Sequence, residues 1–141
     1  MKLDIKAGTT SKQVTIFLEI ISTGLGATSK GGNLSAYYRR DNEATGTSIT
    51  VATAGATAGT WVAGGKIAET TNPAQKGEYT FDLPDAALAT GAKSVFVLLY
   101  DSGSNDIRPC PVEIQLVTYD PYSTTTPLGL NYSGRVSGRS N

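Results

Sequence analysis

Side chains that could support catalysis are few in this sequence of 141 residues. It contains no histidine and a single cysteine, Cys110. It therefore lacks the usual general base, the commonest metal ligand and the second thiol that an intramolecular disulfide needs. Lysine could replace histidine beside a serine nucleophile, but no serine is followed three positions later by lysine. We expect no catalytic site and no bound cofactor.

One short segment approximates a phosphate-binding loop. In TWVAGGKI, residues 60–67, the first glycine position of that motif holds Thr60, and Ile67 follows the lysine where Ser or Thr should bind magnesium. The match therefore fails at two positions. Gly64 and Gly65 instead predict a hairpin turn or bulge that lets Trp61 fold onto a sheet.

A second segment offers oxygen ligands for calcium. Residues 101–106, DSGSND, contain two aspartates and an asparagine in a flexible context. An EF-hand loop starting at Asp101 would need glycine at its sixth position and a carboxylate at its twelfth, where this chain has Asp106 and Val112. A plain hairpin turn is the favoured interpretation, and we expect no metal site.

Two further hypotheses concern surfaces that could meet a sugar. Paired carboxylates cleave glycosidic bonds, and nothing in the spacing singles out one pair. The candidates are Glu19, Asp41, Glu69, Glu78, Asp82 and Glu113; most fall on the outward phase of a strand, where a charge is solvated. Tyr37 and Arg39 share one outer face and could stack on a sugar or a base.

Composition argues against two classes of partner. Twelve Lys and Arg balance twelve Asp and Glu, so no net charge draws the chain to nucleic acid or to an anionic membrane. The longest apolar runs are far shorter than the roughly 20 residues of a transmembrane helix. The first twelve residues lack the apolar stretch of a signal peptide. We therefore expect no nucleic-acid partner, no membrane partner and synthesis in a cytoplasm.

Alternating apolar residues predict six or seven short β-strands. Val14, Ile16, Leu18 and Ile20 form the first apolar row, with Phe17 in the outward phase. Similar rows follow within residues 34–38, 49–51, 79–83 and 112–116. Residues 94–100, SVFVLLY, are apolar in both phases and predict a central strand that is covered on each side.

Two connecting segments have distinct compositions. Residues 84–91, PDAALATG, predict a two-turn helix with Pro84 at its first position and Gly91 ending it. Residues 52–60, ATAGATAGT, favour a loop or an edge over a closely packed strand. The pattern as a whole predicts an all-β fold, an antiparallel β-sandwich resembling the immunoglobulin type with one short helical connector. A small closed barrel is the alternative.

The last segment differs from the rest. Residues 120–141 are polar and rich in turn residues, so we expect a β-sandwich domain over residues 1–119 and an extended C-terminal arm over residues 120–141. The arm is either a frayed terminus or a segment that orders against a neighbouring subunit. The candidate apolar anchors and polar contacts are Tyr122, Leu128, Leu130, Tyr132, Arg135 and Arg139.

The series of motifs resembles a recurrent family of small virion proteins of tailed phages. The resemblance runs from LDIKAGTTSKQVTIFLEI through LSAYYRRDNEATGTSITVAT and TWVAGGKIAET to GEYTFDLPDAALATGAKSVFVLLY and VEIQLVTYDP, and covers residues 2–121. Its most specific part is YTFDLPDAALATGAKSV followed by VEIQLV. The resemblance supplies no catalytic residue.

The resemblance implies a β-sandwich domain of a head decoration, head-fibre or baseplate protein. We expect a capsid decoration or head-fibre-base protein on the capsid surface, made in the cytoplasm of the host bacterium. Its expected partners are the major capsid protein, other virion subunits or copies of itself, and a trimer would suit head vertices and fibres. The alternatives are a baseplate or tail-fibre adsorption module that binds host glycans through Tyr37 or Trp61, and a hydrolase with paired carboxylates.

Overall fold

Alternating apolar residues fold into eight β-strands within the part of the chain that the structure describes. The computed structural model describes residues 1–70 and 76–120. Its strands are β1 (Lys2–Lys6), β2 (Gln13–Phe17), β3 (Leu34–Arg40), β4 (Thr47–Ile49), β5 (Ile67–Glu69), β6 (Glu78–Asp82), β7 (Ser94–Asp101) and β8 (Cys110–Val117). The helical segments are two short 3-10 helices, Gly31–Asn33 and Asp85–Leu88. The prediction of an all-β fold is confirmed.

The strands form two sheets. The larger has the order β1-β8-β7-β3-β4 and the smaller has the order β2-β6-β5. Every pair of neighbouring strands is antiparallel except β1 and β8, which run parallel with Ile5 opposite Leu116. The expectation of purely antiparallel pairing is therefore wrong for this pair. A parallel pair cannot be joined by a tight hairpin, and here about one hundred residues separate the two strands.

Both sheets bury one face in a single hydrophobic core. The predicted inward residues Leu34, Ala36 and Tyr38 are buried, as are Tyr79, Phe81 and Leu83. Residues from the two sheets belong to one contiguous cluster of buried side chains. Successive strand residues point to opposite faces, so one apolar phase per strand is enough to cover the core.

Strand β7 lies in the middle of the larger sheet, as predicted. Val95, Val97 and Leu99 are buried on its inner face. Its outer face is less covered, since Phe96 and Leu98 are only partly buried by the described residues and Tyr100 is exposed. The expectation that this strand is covered on each side is therefore wrong within the described part of the chain.

The predicted two-turn helix is a single 3-10 turn. Pro84 has an extended backbone and precedes the turn, and the turn ends at Leu88 instead of at Gly91. The Arg40 guanidinium donates hydrogen bonds to the carbonyls of Ala89 and Thr90 at 2.8 and 2.7 Å. These tertiary bonds hold the two carbonyls just after the turn, where the backbone of Ala89 is already extended.

The segment of small residues 52–60 is a loop that packs on the smaller sheet. Gln13 donates to the carbonyls of Thr57 and Thr60, and its own side-chain oxygen accepts from the amide of Gly59. The interpretation of residues 52–60 as a loop is confirmed. Gln13 also donates to Asp82, so the loop lies beside the outer face of β6, where Thr80 and Asp82 are buried.

A turn at residues 63–65 leads into β5, in agreement with the prediction from its two glycines. Gly64 and Gly65 both have positive φ angles, +96° and +67°. At Gly65, an added Cβ would lie 2.3 Å from Cγ2 of Ile49 and 3.1 Å from the carbonyl oxygen of Thr50. At Gly55, whose φ is +77°, an added Cβ would meet no atom within 4 Å.

Gly65→Ala and Gly55→Ala form a matched pair that separates backbone strain from steric conflict. Both variants force alanine into the left-handed region, which costs about 1–2 kcal/mol. Gly65→Ala must also displace Ile49, so we expect it to lower the free energy of unfolding by about 1–3 kcal/mol more than Gly55→Ala does. Chemical denaturation measures the difference, and equal losses would show that the Ile49 contact is not tight.

Candidate interaction surface

The predicted C-terminal arm lies outside the described residues apart from Asp120. Strand β8 ends at Val117, close to the predicted domain boundary at residue 119. The boundary and the arm's role stay predictions. The proposed anchors and contacts that lie outside the described residues are Tyr122, Leu128, Leu130, Tyr132, Arg135 and Arg139.

Tyr37 and Arg39 lie on the outer face of the larger sheet. The ring of Tyr37 packs against Phe96 at a centroid separation of 6.4 Å and over Gly46. The guanidinium of Arg39 donates to the carbonyl of Glu43 at 3.3 Å. Tyr37 is thus held by contacts on two sides, and its ring is only partly exposed.

The indole of Trp61 contributes to the fold. Its Nε1 donates a hydrogen bond to the carbonyl of Leu83 at 3.0 Å, which fixes the ring against the end of β6. The ring is partly buried. This contact agrees with the prediction that the Gly64 and Gly65 turn lets Trp61 fold onto a sheet.

The suspected calcium loop satisfies its own carboxylates. Asp101 accepts hydrogen bonds from the amide of Gly103 and from both the amide and the hydroxyl of Ser104, at 2.7–3.1 Å. Asp106 pairs with Lys30 at 2.6 Å. The bond from the Ser104 hydroxyl is the largest cause that holds the pKa of Asp101 well below its usual value, and the two amides add to it.

This loop joins the antiparallel strands β7 and β8, as the hairpin interpretation predicts. Across residues 1–70 and 76–120, no group of three or more His, Cys, Asp and Glu side chains could hold a metal ion. The positive φ of Asn105, +53°, is one that asparagine adopts more readily than most residues. The loop is therefore a turn whose aspartates are bonded within the loop and to Lys30.

Five of the six carboxylates considered for a hydrolase have separate contacts, and the sixth, Glu78, lines the same groove as Glu19. Asp82 is buried and accepts from Gln13 at 2.6 Å and from the Val62 amide at 2.8 Å. Glu19 pairs with Arg108 at 3.2 Å. Backbone amides or a lysine likewise contact Asp41, Glu69 and Glu113. Asp82 departs from the expectation that such groups are solvated, because it is buried beside the loop at residues 52–60.

A groove of about 560 Å³ lies between β2 and the beginning of β8. It is mostly apolar and is lined by Met1, Phe17, Pro109, Cys110 and Pro111, with Thr15, Glu19 and Glu78 among its polar residues. A smaller groove of about 230 Å³ continues from Thr15 between β1 and β2. The two grooves follow the side of the molecule where the edge strands of both sheets come together.

A second apolar groove of about 410 Å³ shares Pro109 with the first. Ile21, Tyr37, Leu98 and Tyr100 contribute to its lining. Of the five exposed large hydrophobic side chains among the described residues, four line one of these two grooves: Met1, Phe17, Ile21 and Tyr100. Clustered exposed apolar groups indicate an interaction surface more strongly than scattered ones do.

Cys110 lies in the first groove and is partly buried. Burial raises the pKa of its thiol by more than the nearby amino terminus and the Phe17 amide lower it. The thiol therefore stays protonated near neutral pH and reacts slowly, because the thiolate is the nucleophile.

This surface was not predicted from the sequence because its parts are far apart in the chain. Phe17 and Pro109 are separated by more than ninety residues. One signal was visible: Phe17 is a large apolar residue in the outward phase of its strand. The prolines on each side of Cys110 were a second signal, since proline interrupts strand pairing.

Comparisons with known proteins identify no relative. A scan against protein-family models, a search of curated proteins and a search of solved structures each found no match. No helix within the described ranges has the length and apolar character that crossing a membrane requires.

Asp101→Asn tests the electrostatics of the loop. A depressed carboxyl pKa contributes stability that is fully present above the unfolded pKa of about 3.9 and is lost as the pH falls through the folded pKa. We expect the free energy of unfolding of the variant to be about 2 kcal/mol lower at pH 7, because the substitution replaces hydrogen bonds to a charged group with weaker ones. Its stability should also fall less than that of the original chain between pH 4 and pH 2. Parallel pH profiles in denaturant titrations would contradict this account.

Proposed function

We propose that this chain is a structural protein of a tailed-phage virion, either a capsid decoration protein or a head-fibre-base protein. It acts by binding the major capsid protein, other virion subunits or copies of itself, and it catalyses no reaction. The exposed apolar surface around Pro109 is the observation that carries this proposal. The resemblance of residues 2–121 to small phage virion proteins supports the same assignment.

The character of the surface favours binding to protein. Met1, Phe17, Ile21 and Tyr100 surround Pro109 without a cluster of like charges, and Arg108 is paired with Glu19. Burial of such surface stabilises a complex by about 25 cal/mol per Å². Many symmetric copies on one particle add avidity to each modest contact. A small β-domain of this kind can therefore remain on a capsid surface without any one strong contact.

We further interpret the two sheets as a sandwich of the immunoglobulin type. Five strands and three strands share one core, and β7 has a central position in the larger sheet. The parallel pairing of β1 with β8 is a variation at the edge of that arrangement. A trimer would match the three-fold positions of a head and the symmetry of a fibre.

Removal of residues 120–141 tests the role of the arm in the virion. Phage particles assembled with the truncated chain should carry fewer copies than particles with the full chain, because the arm's contacts are lost. Quantitative mass spectrometry of purified particles measures the occupancy. A chain whose arm is replaced by Gly and Ser residues of equal number is the control for length. Unchanged occupancy would contradict the arm's role, and absence of the full chain from particles would contradict the proposed function.

A host-glycan adsorption module is the second candidate. The groove lined by Tyr37, Leu98 and Tyr100 favours it, because aromatic rings at an apolar groove can stack on a sugar. A glycan array with the original chain and Tyr37→Ala distinguishes the candidates. Selective binding that Tyr37→Ala abolishes would support the adsorption module, whereas a decoration protein binds no sugar selectively.

A further inference from the structure

One edge of strand β2 is open at Thr15, beyond Phe17, whose amide contacts the Cys110 thiol. The amide of Leu18 donates to Gly77, and the carbonyl of Lys12 accepts from Leu83, so the even-numbered residues of this segment face β6. Alternate residues of a strand direct their backbone groups to opposite sides. The amide and carbonyl of Thr15 therefore point away from β6, and within residues 1–70 and 76–120 no hydrogen bond joins them to another group.

The same edge is already paired farther along the chain. The amide of Arg108 donates to the carbonyl of Glu19 at 2.9 Å, and the amide of Ile21 donates to the carbonyl of Asp106 at 2.8 Å. Pro109 follows Arg108 and has no amide hydrogen, so it ends this pairing. An additional strand beside β2 would thus continue a pairing that the chain itself begins.

Other edges in the described part of the chain are protected. Strand β1 presents Lys2, Asp4 and Lys6 in its outward phase, and charged residues discourage the addition of a strand. Strands β4 and β5 have three residues each and offer little edge. The outward residues of β2 near the groove, Thr15 and Phe17, are uncharged. Strand β2 is therefore the edge best suited to receive a further strand.

Open backbone groups beside an apolar groove are suited to an extended peptide. The backbone of such a peptide pairs with the edge, and every second side chain enters the groove. Residues 128–132, LGLNY, have this alternation, with Leu128, Leu130 and Tyr132 in one phase. No apolar residue stands at the intervening positions, Gly129 and Asn131.

Charge also favours this segment. Residues 121–141 contain two arginines and no acidic residue, whereas residues 1–120 contain ten basic and twelve acidic residues. Glu78 lines the groove, and so does Glu19, which is already paired with Arg108. Opposite charges steer association and fix its register.

The position at which strand β8 ends favours a neighbouring copy as the molecule that binds residues 128–132. Strand β8 begins with Cys110 in the groove and ends at Val117, which is about 23 Å away at about 3.3 Å per residue. The chain therefore leaves the sheet far from Cys110, at the end of β8 where Leu116 pairs with Ile5 of the smaller groove. It can enter the groove of a copy stacked end to end without reversing its direction.

We propose that residues 128–132 of one copy add as a strand to β2 of a second copy and place their apolar side chains in the groove beside Phe17. The proposal rests on the proposed function, in which copies of the protein associate, and it names the surface that receives the arm. The contact is head-to-tail, and head-to-tail contacts close into rings when the rotation allows it. A trimer is one such ring.

Disulfide trapping tests directly whether residues 128–132 bind beside Cys110 of a second copy, because Cys110 is the only cysteine in the chain. In Leu130→Cys, oxidation at an alkaline pH at which the Cys110 thiol ionises should join Cys110 of one copy to residue 130 of another and give dimers and larger species on a non-reducing gel. Leu130→Cys with Cys110→Ser should give none of these species, and neither should Ser137→Cys. Cross-linking confined to single chains would overturn the second-copy assignment, and no cross-linking would overturn the proposal.

A matched pair of surface variants tests whether the arm binds in the groove. Phe17 and Leu25 are 55% and 66% exposed, and Leu25 lines none of the grooves described above. Phe17→Lys should weaken the binding of a synthetic peptide of residues 126–134 at least tenfold, while Leu25→Lys should leave it unchanged. Both are made in the full chain with Leu128→Ser and Leu130→Ser, so that its own arm does not compete. Fluorescence anisotropy measures the binding.

A peptide with Leu128 and Leu130 replaced by serine is the control for side-chain alternation. Equal binding by both peptides, or equal effects of both protein variants, would overturn the proposal. These experiments use no phage particle, so their outcome is separate from that of the occupancy measurement. Peptide binding together with absence of the chain from virions would contradict the proposed function and leave the strand addition standing.

Discussion

Unpaired backbone groups at the sheet edges are the constraint on which much of this molecule's surface depends. Each edge has to be shortened, charged, covered or paired, because open amides and carbonyls accept a further strand. Strands β4 and β5 are short, β1 alternates lysine with aspartate in its outward phase, and the carbonyl of Ala52 accepts from Ile67 at the start of β5. At Thr15 none of these devices is present in the described part of the chain, and the apolar groove lies beside it.

A second feature is the polar layer over the smaller sheet. Gln13 binds the loop at residues 52–60, Asp82 accepts from Gln13 and from Val62, and the loop consequently lies beside the outer face of β6. A buried carboxylate is tolerated only where hydrogen bonds replace water. This layer protects one face of the smaller sheet and leaves its β2 edge as the accessible part.

Sequence periodicity was sufficient for the strands that form the core. The rows at residues 34–38 and 79–83 were identified because their inward residues alternate strictly. Strand β1 was missed because KLDIK gains its structure from β8, a partner more than one hundred residues away. The 3-10 turn was predicted as a longer helix because the hydrogen bonds from Arg40 to Ala89 and Thr90 are tertiary. The groove was missed for the same reason, since Phe17 and Pro109 meet only in the folded chain.

The central claim is that this β-domain is a structural part of a tailed-phage virion. Electron cryomicroscopy of intact particles labelled with an antibody fragment against residues 1–120 tests it most directly. We expect additional density at symmetry-related positions on the head. Unlabelled particles, together with absence of the chain from the purified virions, would contradict it.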